Sequence, residues 1–72
     1  MTLRLLPVSG ADMVRVFTKI GFSVTRQKGS HIVMTRGEEI LVIPNHDTVS
    51  KGTERDLIKD AGLTVKEFNN LL

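Results

Sequence analysis

One imidazole lies beside a basic cluster near the middle of the chain. His31 follows Gly29 and Ser30, and two cations, Arg26 and Lys28, come just before that pair. Histidine is the only side chain whose ordinary pKa lets it both take and give a proton near neutral pH. Lysine and arginine nearby attract an anionic substrate such as a phosphodiester. This combination predicts nuclease chemistry centred on His31.

We expect the ring of His31 to act as a general base or acid in RNA cleavage. The ribose 2′-hydroxyl must lose a proton as it attacks the adjacent phosphorus, and the leaving 5′-oxygen must gain one. Arg26 and Lys28 would bind the scissile phosphate, and Lys28 is the better candidate because it is nearer to His31. The alternatives are a strand-end histidine satisfied by backbone partners and two solvated strand-end cations.

Other polar residues have weaker claims to the chemistry. Gly29 and Ser30 predict a tight turn, and the glycine also lets a phosphate approach main-chain N–H groups. Arg36 lies at the far end of the same strand. His46, the only other histidine, is expected to serve in a turn, and the alternative is a second acid or base within reach of His31. Two aspartates one helical turn apart are explained by a solvated face, so we predict no metal site and no cofactor.

Charge is distributed unevenly along the 72 residues, although the net charge is only +2. Residues 1–36 contain six Lys or Arg and one acid, whereas residues 37–72 contain four Lys or Arg and seven acids. A basic first half can face a phosphate backbone while the acidic half stays solvated or meets another protein. An ordinary mixed surface is the alternative.

The sequence offers no sign of export or membrane insertion. It has no cysteine, and the apolar residues of the run 3–6 are interrupted by Pro7. This run is too short for a signal peptide or a bilayer span. We therefore expect a cytoplasmic protein that consists of one domain, residues 1–72, and makes no contact with a membrane.

Local signals predict three helices. The first covers about 10–20, with Ser9 and Asp12 as a capping box and Gly21 at its C-terminal end. A second helix follows Ser50 and ends at Gly62, and a short third helix begins after Thr64. The three phenylalanines fall on predicted core positions, which leaves no aromatic ring for base stacking and predicts weak sequence selectivity.

Three strands between the first two helices predict an antiparallel meander. Their ranges are 22–26, 31–36 and 40–43, with turns at 28–30 and 37–38. If Ile32 and Met34 point into the core, strict alternation sends their neighbours to the other face. With all helices on one face of this α+β fold, His31 stands on the open side of the sheet.

These motifs, in this order, resemble the HicA toxins, also called the YcfA-like family, over about residues 9–72. The motifs are Arg26-Gln27-Lys28-Gly29-Ser30-His31 before an apolar strand, Ile43-Pro44-Asn45-His46, Lys51-Gly52-Thr53 and Ala61-Gly62-Leu63-Thr64-Val65. The resemblance implies an α-β-β-β-α fold like that of double-stranded RNA-binding domains, here with an extra short C-terminal helix. It also implies cleavage of messenger RNA, neutralisation by a HicB antitoxin, and a catalytic role for His31.

Two positions depart from the family pattern, because Glu54 and Asp56 occur where an apolar and a small residue are expected. They add acid near the start of the second helix, where residues 51–53 would otherwise favour an anion. The leading hypothesis is a metal-independent endoribonuclease toxin with mRNA and a HicB-like antitoxin as partners and no direct specific DNA binding. A non-catalytic RNA-binding module of the same fold and a protein-interaction domain using the acidic half are the alternatives.

Overall fold

The computed structural model describes residues 4–72. Residues 1–3 of the predicted domain, which include the first residue of the apolar run 3–6, lie outside the described part. The elements are α1 (Gly10–Lys19), β1 (Ser23–Lys28), β2 (His31–Arg36), β3 (Glu39–Pro44), α2 (Lys51–Asp60) and α3 (Val65–Leu71). This order confirms the predicted α+β fold, and β1 extends two residues beyond its predicted end. Across this part of the chain, none of the helices has the length and apolar content needed to cross a membrane.

The helix ends follow the local signals. At the start of α1, the Ser9 hydroxyl accepts a hydrogen bond from the Asp12 N–H at 3.0 Å, and the Asp12 carboxylate accepts one from the Ser9 N–H at 3.0 Å. Thr64 and Glu67 form the same reciprocal pair at the start of α3. After α1 the chain turns at Gly21, whose φ of 100° is rare for residues with a side chain.

The strands form one antiparallel sheet in the order β1-β2-β3. Ile32 and Met34 of β2 are buried, as are Leu41 and Ile43 of β3, and together they face the helices. The neighbouring side chains point to the opposite, open face, and His31 is exposed there. The predicted sidedness of the sheet is therefore confirmed.

The core beneath the covered face is centred on three phenylalanine rings. Phe17 of α1 lies 6.1 Å from Phe22 and 5.8 Å from Phe68, measured between ring centroids. All three side chains are buried. Because they are enclosed, none of them is exposed for stacking with a nucleobase, as predicted.

A close backbone approach ties the start of α1 to the loop after β3. The Gly10 N–H donates to the His46 carbonyl at 2.9 Å. A Cβ added at Gly10 would lie 2.2 Å from the Pro44 carbonyl oxygen, a distance that no real contact allows. Glycine is therefore required at this position, where the start of α1 packs against the end of β3. The same end of β3 lies next to the start of β2, because Pro44 pairs with His31.

Residues 4–8, the N-terminal strap, cross over the two C-terminal helices. The Asn69 amide on α3 donates to the Arg4 carbonyl at 3.1 Å, and the Lys51 ammonium on α2 donates to the Leu5 carbonyl at 2.9 Å. The Leu5 side chain is buried in the core. The strap therefore engages a cation that the sequence made a candidate for anion binding.

Candidate active site

A tight hairpin turn places His31 at the first position of the central strand. Gly29 has a φ of +57° and Ser30 does not have a positive φ, which is the pattern of a type II′ turn. Lys28 and His31 face each other across this turn as a cross-strand pair. The Ser30 carbonyl accepts a hydrogen bond from the Asn45 N–H at 2.7 Å, which anchors the turn to the end of β3.

A β-bulge determines which face of the sheet carries the cations. The register between β1 and β2 shifts between Val24 and Arg26. Strict alternation from Val24, which pairs with a core residue, would send Arg26 and Lys28 to the covered face. The bulge at Thr25 reverses that parity, so both cations lie on the open face with His31.

The prediction that β1 is a half-buried strand was wrong. Strict alternation over residues 22–26 predicted a half-buried strand, but all six residues of β1 are exposed. The bulge interrupts the alternation, and five of the six side chains are polar on a strand that has a neighbour on one side only. The predicted pattern had two apolar positions: Phe22 is buried but precedes the strand, and Val24 is 49% exposed.

All five residues predicted for the site line one depression on the open face of the sheet, which three apolar residues complete. The lining residues are Arg26, Lys28, Gly29, Ser30, His31, Val33, Ile40 and Val42. Sequence reasoning placed Val33 on the open face with His31 but not in the site, and it missed Ile40 and Val42 because the run 40–43 was assigned as a strand without assigning its faces. Its alternation was the available signal, since only one face of the sheet carries helices.

The charged side chains of this depression are not used within the described part of the protein. Side-chain hydrogen bonds from basic residues of 4–72 come from Arg15, Lys19, Arg36 and Lys51. The ion pairs of the same residues join Arg15 to Asp12 and Arg36 to Glu39. Arg26, Lys28 and His31 are exposed and take part in none of these contacts. They are available to an anionic ligand.

Arg36 is used in the fold instead. Its guanidinium donates to the Ile20 carbonyl at 3.0 Å, to the Ala61 carbonyl at 3.4 Å and to Glu39 at 2.9 Å. It also lies over the Phe22 ring, 4.4 Å from the centroid. These contacts join the ends of α1 and α2 to the β2–β3 turn, so the weaker phosphate-binding candidate has a structural role.

Glu54 lies in the first turn of α2, as the sequence indicates, but its side chain is buried rather than exposed. Its side chain has no accessible surface, and neither carboxylate oxygen has a hydrogen-bond partner among the described residues. Burial raises the pKa of Glu54, an effect that the nearby Lys51 ammonium partly offsets. A fully buried position on α2 suits the apolar residue that the resemblance to the family leads one to expect there.

The second histidine serves the fold through its main chain. His46 is exposed in the loop after β3, and its carbonyl accepts the hydrogen bond from Gly10. Within residues 4–72, no three His, Asp or Glu side chains come together in a group that could hold a metal ion.

A small α+β domain with a histidine and two unpaired cations on an open sheet face is the class that the fold and the depression define. A family model described as the HicA toxin of bacterial toxin-antitoxin matches residues 10–63. This span includes α1, all three strands, α2 and every residue of the depression. The chain belongs to the HicA toxin family, which makes it the toxin of a toxin–antitoxin system and implies a cognate antitoxin. No curated protein matches the chain.

Proposed function

We propose that this HicA-family toxin is an endoribonuclease that cleaves messenger RNA without a metal ion, with His31 as the catalytic residue. The observation that carries the proposal is the depression itself, in which His31 lies opposite Lys28 and beside Arg26. None of the eight residues that line it is acidic, and the segment 22–36, which supplies six of them, contains no Asp or Glu. A phosphodiester is therefore attracted to the one place on the open face where an imidazole can transfer a proton.

The proposed reaction moves one proton through the imidazole. His31 takes the proton of the ribose 2′-hydroxyl as that oxygen bonds to phosphorus, and the resulting imidazolium gives a proton to the 5′-oxygen as its bond to phosphorus breaks. Arg26 and Lys28 stabilise the negative charge that builds on the non-bridging oxygens. Gly29 has open space where a side chain would be, so a phosphate can approach the main chain of the turn.

Cleavage of a messenger RNA in excess EDTA, compared between wild type and His31→Ala, tests this assignment. The wild type cleaves, and the variant is slower by about 10²–10⁴-fold, the usual contribution of a positioned general base or acid. The fold is unaffected, because the exposed ring makes no contact that the fold uses. His46→Ala is the matched control and keeps its activity. Retained cleavage by His31→Ala would defeat the catalytic assignment.

A second candidate function has one observation in its favour. No side chain among residues 4–72 donates to or accepts from the His31 ring, whereas catalytic bases are commonly oriented by a third group. A non-catalytic RNA-binding module needs no such group. The same experiment separates the two functions, because a binding module leaves RNA intact in wild type and variant alike.

We also propose that the cognate antitoxin is HicB-like and silences the toxin by covering the open face around β2. The histidine lies on an open sheet rather than in a deep cleft, so occlusion together with acidic partners for Lys28 and Arg26 is the simplest inhibition. A complex of this kind buries on the order of 1,600 Å² of total surface.

Charge reversal tests the location of the antitoxin. Lys28→Glu weakens the binding of both RNA and antitoxin, because both place negative charge against the same cation. Lys66→Glu, on the exposed surface of α3, is the matched control and leaves both affinities close to wild type. A Lys28→Glu variant that loses RNA binding but keeps full antitoxin affinity would locate inhibition on another surface, with the acidic half and α3 examined first.

A further inference from the structure

Three apolar side chains, Val33, Ile40 and Val42, form a row on the open face of the sheet, here called the apolar row. Val33 and Val42 are a cross-strand pair of β2 and β3, and Ile40 lies two residues along β3. Ile40 is 65% exposed and Val42 is 48% exposed. A face that only meets water normally carries polar residues, so this row indicates a surface that binds something.

The apolar row is continuous with the proposed catalytic end of the sheet. Residues two apart along a strand are separated by about 7 Å. The pair formed by Val33 and Val42 is therefore the next one on this face after His31, and Arg26 flanks it from β1. Cationic and apolar side chains thus lie next to each other within one depression, over a span comparable to a single nucleotide.

We propose that the apolar row binds the face of a nucleobase next to the scissile phosphate of single-stranded RNA. This inference rests on the proposed ribonuclease function and adds a base subsite to it. A nucleotide joins an anionic phosphate to a flat, weakly polar ring, which matches unpaired cations beside exposed aliphatic side chains. Bases in a duplex keep their faces stacked and out of reach, so the substrate is single-stranded here.

The chemistry of the row also determines what the subsite reads. Val33, Ile40 and Val42 have no side-chain donor or acceptor, so they contact a ring face without distinguishing its hydrogen-bonding edge. Aliphatic side chains contact less of a base than an aromatic ring does. The subsite therefore contributes affinity and positioning with little preference among the four bases.

The test compares RNA that has bases with RNA that lacks them. The probes are a 2′-O-methylated single-stranded decamer, in which no 2′-hydroxyl can attack, and an abasic decamer with the same phosphates. The variant is Ile40→Thr combined with Val42→Thr, which keeps the branch at Cβ and replaces part of the apolar surface by hydroxyl groups. Val24→Thr is the matched control, because Val24 is 49% exposed in the same sheet but pairs with the core residue Met34.

The double variant binds the decamer that has bases about fivefold to tenfold more weakly than wild type, the lower end of what one base contact contributes. Its affinity for the abasic decamer is unchanged, and Val24→Thr matches wild type on both probes. The inference is overturned if the double variant binds the decamer with bases as tightly as wild type does. If the double variant in addition loses antitoxin binding, the apolar row is assigned to a protein partner. If the wild type binds neither decamer, the proposed function fails together with the subsite.

Discussion

The two turns at the ends of β2 have the same construction. Each is two residues long, begins with a glycine at positive φ, 57° at Gly29 and 61° at Gly37, and follows a basic residue. They differ in the residue that faces the cation. Glu39 faces Arg36 and pairs with it, whereas His31 faces Lys28 and leaves its charge unpaired.

The cation at one turn is therefore held by contacts within the fold, whereas the cation at the other turn is free to bind a ligand. At the far turn the guanidinium of Arg36 is occupied by two helix-end carbonyls, a carboxylate and the Phe22 ring. At the near turn, the bulge in β1 brings two exposed cations to the face of an exposed imidazole, with no acid in the segment. Similar local sequences therefore support different roles, and the partners decide which role each one has.

The largest effect on stability is expected at the structural end. Arg36→Ala removes hydrogen bonds to Ile20 and Ala61 together with the contact over Phe22, and lowers the free energy of unfolding by about 2–4 kcal/mol. For a domain of this size the thermal midpoint falls by roughly 10 °C or more. Arg36→Lys keeps the charge without the planar fork and recovers only part of the loss. A midpoint equal to that of wild type in Arg36→Ala would contradict the structural role.

Glu54 limits the rule that an unpaired charge indicates function, because its carboxylate is unpaired but buried. Glu54→Leu raises the free energy of unfolding by about 1–3 kcal/mol at pH 7, since a buried group without a hydrogen-bond partner is removed. Chemical denaturation measures the change, and Asp56→Leu, at an exposed position on the same helix, is the control. A destabilised Glu54→Leu variant would show that the carboxylate has a stabilising partner.

Stability is expected to depend on pH through Glu54, because burial raises the pKa of this residue in the folded protein. The free energy that Glu54 contributes is highest below the pKa of an unfolded glutamate, about 4.3, and falls as the pH rises through the higher folded-state value. Asp12 and Glu67 have lowered pKa values, owing to backbone hydrogen bonds from their caps, and act in the opposite direction. The difference in the free energy of unfolding between wild type and Glu54→Gln, measured as a function of pH, isolates the contribution of this carboxyl group. A difference that does not change with pH contradicts the prediction.

The smallest effect on stability is expected at the near turn. Lys28→Ala changes the free energy of unfolding by less than about 0.5 kcal/mol, because the side chain is exposed and unpaired. It weakens RNA binding and reduces the log–log slope of affinity against salt by about 0.7, the contribution of one phosphate contact on a single strand. Lys66→Ala is the control with an unchanged slope. An unchanged slope in Lys28→Ala would show that RNA binds at another surface of the protein.

The fold was predictable where its determinants are local. Capping boxes at Ser9 and Thr64 and glycines at positive φ act over three or four residues, so they specify helix ends and turns directly. The burial of Glu54 was not predictable in this way, because a charged residue in a helix is ordinarily solvated. The role of Arg36 was also hidden, since Ile20 and Ala61 are 16 and 25 residues away in the chain.

The candidate site was predictable in its members but not in its geometry. The run from Arg26 to His31 named five of the eight residues that line the depression, including all four with polar side chains. Their common face depends on the bulge at Thr25, which strict alternation does not reveal. The apolar row was missed because all four residues of the run 40–43 are apolar, so their types alone do not show that Ile40 and Val42 lie on the open face.

We infer that the start of β2 carries the catalytic residue, His31, and that its end carries a residue that stabilises the fold, Arg36. One paired measurement tests both roles. RNA cleavage in excess EDTA and the thermal midpoint are measured for wild type, His31→Ala and Arg36→Ala at a temperature where all three are folded. We expect His31→Ala to be at least about 100-fold slower with an unchanged midpoint, and Arg36→Ala to cleave at nearly the wild-type rate with a lowered midpoint. Wild-type cleavage by His31→Ala, or loss of cleavage in folded Arg36→Ala, would contradict these roles.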